Sequence, residues 1–332
     1  MSAGDVGPVQ PARGALISPQ FFTLATAFAL SVGVSLVSDL FVSTLTLGHR
    51  LNTHRMVVDR QAPLPYQYDM YLVSTVCQWL QDHAGMSLVL SFSLVFSVGY
   101  LLLFLTLWAC LSRLYRRVAS VLIGLLALAV YACLMMPSAG DHAADPFGAA
   151  LIALTLAAVV RGSPAGVLAA SLAGGFLWSK HVVVAPIVLL YEVRRGRWGR
   201  GLALAALVVL AALFGPLCYR LPVNPVVSAG VLTPWEWIQS IPHALTVHVG
   251  FALPPLLSLL LLGRRLHLMV RTAAWLYPLM IAAYAVAGFF IYELRSFWPV
   301  VPAFVALLAA WGDQTGLLRE AGDPASKSRG GD

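Results

Sequence analysis

Apolar runs separated by short polar interruptions recur from about residue 20 to residue 312. The candidate spans fall at roughly 20–47, 85–111, 118–137, 146–160, 165–179, 181–192, 201–217, 246–262, 272–292 and 297–312. A helix of about 20 apolar residues crosses a ~30 Å hydrocarbon core. The pattern therefore predicts an all-α, polytopic transmembrane helix bundle of about nine to ten spans. One run admits two readings. Residues 165–191 cross comfortably as a single helix, whereas a split at Ser179-Lys180-His181 leaves a second half of about 10 residues, or ~15 Å, too short to cross alone. The stretch 66–82, YQYDMYLVSTVCQWLQD, follows a different period: Met70, Val73, Val76, Cys77 and Leu80 share one helical face and Gln67, Ser74, Gln78 and Gln81 the opposite one. It is expected as an interfacial amphipathic helix in the first outer loop.

Composition narrows the class. Residues of the set AVILMFWYC make up 59% and charged residues only 11%, against about 25% in soluble domains. So little charge cannot cover a water-exposed surface. The net charge of +7 sits in short clusters between apolar runs, which argues for topology and against a nucleic-acid partner. With the split at Lys180 and a cytoplasmic N-terminus, fifteen of the 21 basic residues fall inside and six outside, as the positive-inside rule requires. A single span with an external N-terminus leaves thirteen inside and seven outside, with Lys180 in the membrane. Both place the C-terminus in the cytoplasm. The expected organisation is a cytoplasmic tail over 1–19, a membrane domain over 20–312 with outer loops 48–84 and 218–247, and a disordered cytoplasmic tail over 313–332. The four cysteines form no C-x-x-C pair, and no nucleotide-binding, nucleophile-elbow or H-E-x-x-H motif occurs. Histidines spaced five apart, as in His49 and His54, do not share a helical face, so no dedicated metal site is expected.

The informative charges are the minority assigned to the outer side. Asp39 lies within the first run, where an ionisable group costs about 3 kcal/mol and by default faces the bundle interior or a wet cavity; a hydrogen bond to Ser35 or Ser43 is the simpler alternative. Asp69 falls on the apolar side of the amphipathic helix, where it serves either as a general base in a crevice or as the helix N-cap. Asp59 precedes it in the same loop. Lys180 and His181 interrupt an apolar run, which calls for an anion or water unless Lys180 simply snorkels. Glu293 and Arg295 close one span, with Pro299 and Pro302 in the first turns of the next. Arg295 carries a planar fork suited to phosphate, or pairs with Asp141, Asp145 or Glu236.

Taken together, these motifs resemble the family-C (GT-C) glycosyltransferases, polytopic enzymes that take a sugar from a polyprenyl-phosphate carrier at the outer face of the membrane. The resemblance is carried by acids and an interfacial helix in the first loop (Asp59, and Asp69 in QYDMY) and by GDHAADPFGAALIAL ahead of a span. It extends to an R-G turn leading into short helices broken by a lysine (GGFLWSKHVVVAPIVLLYEVRR), and to ELRSFWPVVPAF. It implies an inverting transferase in a bacterial cytoplasmic membrane, with a polyprenyl-phosphate-linked sugar as donor. Asp69, ahead of Asp59 or Asp39, would be the catalytic base, and Arg295, Lys180, His181 and Glu293 would form the carrier-phosphate site. The chain departs from the family in having His181 where Glu often follows the lysine, and in lacking a D-x-D in the first loop, which leaves a divalent metal unsupported. A transporter or lipid flippase using Asp39 and Lys180, or a non-catalytic membrane protein, is the alternative class.

Overall fold

The computed structural model of the chain describes residues 18–45, 68–115, 117–135, 144–177, 179–219, 234–263, 266–287 and 294–315. Regular structure among them is helical only. The helices are α1 (Pro19–Leu45), α2 (Tyr68–Ala84), α3 (Leu88–Leu114), α4 (Val118–Met135), α5 (Ala144–Arg161), α6 (Pro164–Leu177), α7 (Val184–Val193), α8 (Trp198–Tyr219), α9 (Pro234–Leu262), α10 (Leu268–Ala274), α11 (Leu276–Ala287) and α12 (Val301–Thr315). Two 3-10 segments, Ser179–Val183 and Leu294–Val300, precede α7 and α12. Asp59 and Glu293 lie outside the described residues, as do the side chains of Asp69 and Arg295.

The protein is an all-α, multi-pass membrane bundle. Among the described residues five helical stretches are long and apolar enough to cross a membrane: Pro19–Leu40 of α1, all of α3, α4 and α5, and Trp198–Gly215 of α8. The apolar stretches Pro164–Leu177, His248–Leu262, Leu268–Ala282 and Phe297–Gly312 are shorter among the described residues, the second of them being the end of α9, which runs 29 residues in all. The helices are interrupted at Ser179–Val183, at Trp275 and at Leu294–Val300. The outer side of the bundle is apolar, as a lipid-facing surface requires. Leu210, Leu213, Phe214 and Leu217 of α8 and Phe21, Phe28, Leu36 and Leu40 of α1 are exposed, far more than a water-soluble surface tolerates as a patch.

The centre is α12, whose Val301, Phe304, Val305 and Leu307 are fully buried and which packs on α3, α4, α5, α9 and α10. Tyr131, Phe251 and Tyr277 surround Phe304 with tilted ring contacts, Phe297 tilts against Phe251 and Tyr277, and the Tyr131 hydroxyl donates to the Phe251 carbonyl at 3.0 Å. Elsewhere the helices approach through small residues, as helices in lipid do. A Cβ on Gly175 of α6 would collide with the Ala211 and Ala212 carbonyls of α8, and one on Gly215 with the Gly175 carbonyl.

Two turns follow the same rule and set the chain direction. After α5, Gly162 takes φ +72, its N–H reaches the Val159 carbonyl and that of Ser163 reaches Ala158. After α7, Gly196 takes φ +72, with Gly196 bonded to Val193 and Arg197 to Glu192. Both are Schellman stops, which need a left-handed residue that glycine supplies without a Cβ clash. Pro164 then opens α6 behind Ser163, whose Oγ accepts from the Gly166 N–H. Among the described residues, Arg113, Arg161, Arg194, Arg200 and Arg271 gather at the end of the bundle where these turns lie. Lys180 lies at the other.

Two sequence expectations change. Residues 218–247 are not one loop, because α8 continues to Tyr219 and α9 begins at Pro234; proline is tolerated in a first turn, and Pro242 is carried inside the helix. On α2 the buried face is Val73, Ser74 and Cys77, while Val76 and Trp79 are exposed. The packed face, to which Leu80 also contributes, takes in Ser74 and leaves out Val76 and Trp79, because α2 rests on α3, α5 and α6.

Candidate functional site at the Lys180 end

The split at Lys180 is real: α6 ends at Leu177, a 3-10 segment carries Ser179–Val183, and α7 starts at Val184. This segment packs against α5, α6, α7, α8 and the second 3-10 segment, Leu294–Val300. The latter in turn packs on α5, α4, α11 and α12. The backbone positions of Lys180, His181 and Arg295, distant in sequence, are thereby brought onto adjoining segments at the N-terminal end of α5.

There the Lys180 Nζ stands 3.9 Å from Oδ1 of Asp145, a carboxylate with no exposure, while the lysine side chain keeps 22% of its own. Asp145 is in the first turn of α5, where the free backbone N–H groups and the helix dipole favour a negative charge. A buried carboxylate needs such compensation. The buried carboxylate thus holds a lysine side chain that keeps part of its exposure.

His181 faces inward. Its Nε2 lies 3.2 Å from Thr155 Oγ1, and the Thr155 hydroxyl donates its proton to the Leu151 carbonyl. The imidazole therefore supplies the proton of the Thr155 contact from Nε2. Its Nδ1 is buried with no hydrogen-bond partner among the described residues. The ring packs against Gly174, where any Cβ would overlap it. Fully buried, His181 positions the 3-10 segment and offers no face to a ligand. Trp298, in the adjoining segment, is likewise fully buried with its Nε1 unbonded among the described residues. A buried polar group without a partner costs about 1–3 kcal/mol, so two of them on adjoining segments mark a region not optimised for packing alone.

The other sequence candidates sit apart. Asp39 is exposed on α1 and accepts a hydrogen bond from Ser93 of α3; Ser35 bonds instead to the Ser31 carbonyl. The expectation that Asp39 faces the bundle interior, or pairs along its own helix, gives way to a bond between two helices. Asp69 is the second residue of α2, inside the first turn and past the cap position.

Asp145, Thr155 and Trp298 were not singled out as site residues from sequence. Only Asp145 had a signal, as an acid ahead of a proline at the start of a span. No group of three His, Cys, Asp or Glu side chains able to hold a metal occurs among the described residues. Neither a family model, nor a curated protein, nor a solved structure matches the chain.

Proposed function

We propose that this multi-pass membrane protein is an inverting glycosyltransferase that uses a polyprenyl-phosphate-linked sugar at the outer face of a bacterial cytoplasmic membrane, with its arginine-rich end and C-terminus in the cytoplasm. The observation that carries the reading is the partly exposed Lys180 side chain, paired with the buried Asp145 and adjoined by the segment that bears Arg295. A phosphate monoanion or dianion at a membrane surface is the natural counter-ion for such a pair of cations.

In this reading the acceptor hydroxyl oxygen attacks the anomeric carbon as the bond from that carbon to the carrier phosphate oxygen breaks. The electron pair leaves with the phosphate, whose growing charge Lys180 and Arg295 stabilise. The hydroxyl proton passes to a carboxylate, Asp69 ahead of Asp59 or Asp39. Asp69 is favoured because α2 packs on α5 and α6, the helices that flank the Lys180 segment. Asp145 and His181 act as positioning residues.

Purified protein given a radiolabelled polyprenyl-phosphate sugar tests this. Transfer to an added acceptor supports the reading, and Asp69→Asn is expected to slow it by about 10²–10⁴-fold, the usual worth of a general base. Wild-type rates in Asp69→Asn remove Asp69 as the base. Binding of the lipid with no turnover in any acceptor mixture points instead to a transporter or flippase.

A further inference from the structure

A second feature lies at the opposite, arginine-rich end. A cavity of about 410 Å³ opens between α3, α5, α10 and α12, within the roughly 300–1,000 Å³ range of small-molecule sites. Its walls are apolar, formed by Leu107, Leu111, Ala153, Leu156, Ala303 and Ala306 among others. Its rim carries Arg113 at the end of α3, Arg161 at the end of α5, and His267. Among the described residues no carboxylate lines it, and neither Arg113 nor Arg161 forms an ion pair. The His267 Nδ1 accepts the Met269 N–H at 3.2 Å, so the neutral ring carries its proton on Nε2 and retains a donor.

We infer that this cavity binds a phospholipid with an anionic headgroup, one chain lying against the apolar walls and the phosphate meeting Arg113, Arg161 and the His267 Nε2–H at the rim. An apolar pocket bordered by cations on one side fits an amphiphile in which phosphate and hydrocarbon are joined, and fits neither a free anion nor a neutral lipid. Arginine forks grip phosphate oxygens bidentately. The site stands independently of the transfer reading, because it shares no residue with the Lys180 cluster.

The full-length protein, purified in detergent, is mixed with vesicles of phosphatidylglycerol or of phosphatidylcholine, and retained lipid is counted by native mass spectrometry. The wild type is expected to retain phosphatidylglycerol at least about tenfold over phosphatidylcholine, whose phosphate is offset by a choline cation that the rim arginines repel; a difference of 1.4 kcal/mol is a factor of ten. Arg113→Gln with Arg161→Gln abolishes that preference, and Arg113→Lys with Arg161→Lys retains part of it. Ala157→Phe, filling the cavity from its α5 wall, reduces retention of both lipids. Arg197→Gln, in the α7–α8 turn away from the cavity, changes nothing, and millimolar inorganic phosphate releases no lipid. Equal retention of the two lipids by the wild type overturns the proposal. So does a loss in Arg197→Gln as large as in the double variant, because it would assign the preference to diffuse surface charge. If the double glutamine variant does not fold, Ala157→Phe against Arg197→Gln still decides.

Discussion

Each end of the bundle holds a fully buried carboxylate beside a partly exposed cation, yet the two pairs are built differently. At the arginine-rich end Glu192 faces the Arg200 Nε at 3.7 Å. The two residues flank one tight turn, and the Glu192 backbone carbonyl also accepts from the Arg195 and Arg197 N–H groups. The pair closes a local hairpin between α7 and α8. Further arginines there are engaged: Arg194 reaches Thr272 of α10, Arg271 reaches the Gly263 carbonyl after α9, and Arg195 bonds locally to Tyr191. Asp145 and Lys180 instead join two elements distant in sequence, at a junction where the His181 Nδ1 and the Trp298 Nε1 have no hydrogen-bond partner among the described residues. The same chemistry thus serves as a hairpin staple in one place and as a link between distant segments, through a half-buried lysine, in the other. A buried ion pair by itself says little about function; what surrounds it separates the two uses.

The largest expected effects come from dismantling the pairs. Lys180→Ala withdraws the cation from a buried carboxylate and is expected to destabilise by about 3–5 kcal/mol, read from denaturant unfolding in detergent, with sugar transfer lost as well. Replacing both members removes that penalty. Glu192→Leu with Arg200→Leu is expected to be neutral or stabilising by about 1–4 kcal/mol and to leave transfer intact. Asp145→Leu with Lys180→Met should be tolerated similarly in stability while transfer disappears. If both double variants keep full transfer, the distinction between staple and link falls.

A middle-sized effect sharpens the role of the His181 packing. Gly174→Ala forces its new methyl into the imidazole, a clash of about 1–3 kcal/mol, and displaces the segment bearing Lys180. Its expected signature is a raised KM for the lipid donor, beyond any shift in melting temperature. Gly199→Ala on α8 meets nothing within 4 Å and is expected to be neutral or to gain up to about 1 kcal/mol of helix propensity.

The smallest effect lies at the arginine-rich end. Burial, with Arg195 nearby as the lesser cause, holds the His267 pKa below its ordinary value. A base whose folded pKa is lowered stabilises fully above the unfolded value of about 6.5, and that stability declines as pH falls toward the folded pKa. Protonation also removes the Nδ1 acceptor that caps α10. Melting temperature should therefore fall more steeply below pH 6.5 in the wild type than in His267→Asn, which keeps a capping oxygen and does not titrate.

Much of this was legible along the chain. The R-G pairs at 161–162 and 195–196 announce Schellman stops, since a left-handed residue after an apolar helix is nearly always glycine. The break at Lys180 was readable because charge balance across a membrane penalises the unbroken alternative. The packed face of α2 was not, because Ser74 is buried by what α2 rests on, and periodicity records only what a helix would bury alone. Asp39 failed in the same way: its partner, Ser93, belongs to another helix.

What the sequence by itself determined is the class and the sorting of charge. An 11% charged chain must spend its apolar runs in lipid, and its arginines must gather at the turns that stay on one side. Local chemistry decides both. Only the tertiary structure decided which of the few remaining charges meet. Asp145 and Lys180 are brought together by the packing of α5 on the Ser179–Val183 segment, and that segment adjoins Leu294–Val300. Such pairings depend on three-dimensional contacts between helices separated by long stretches of chain, and hydrophobic periodicity, which is blind to partners, carries no record of them.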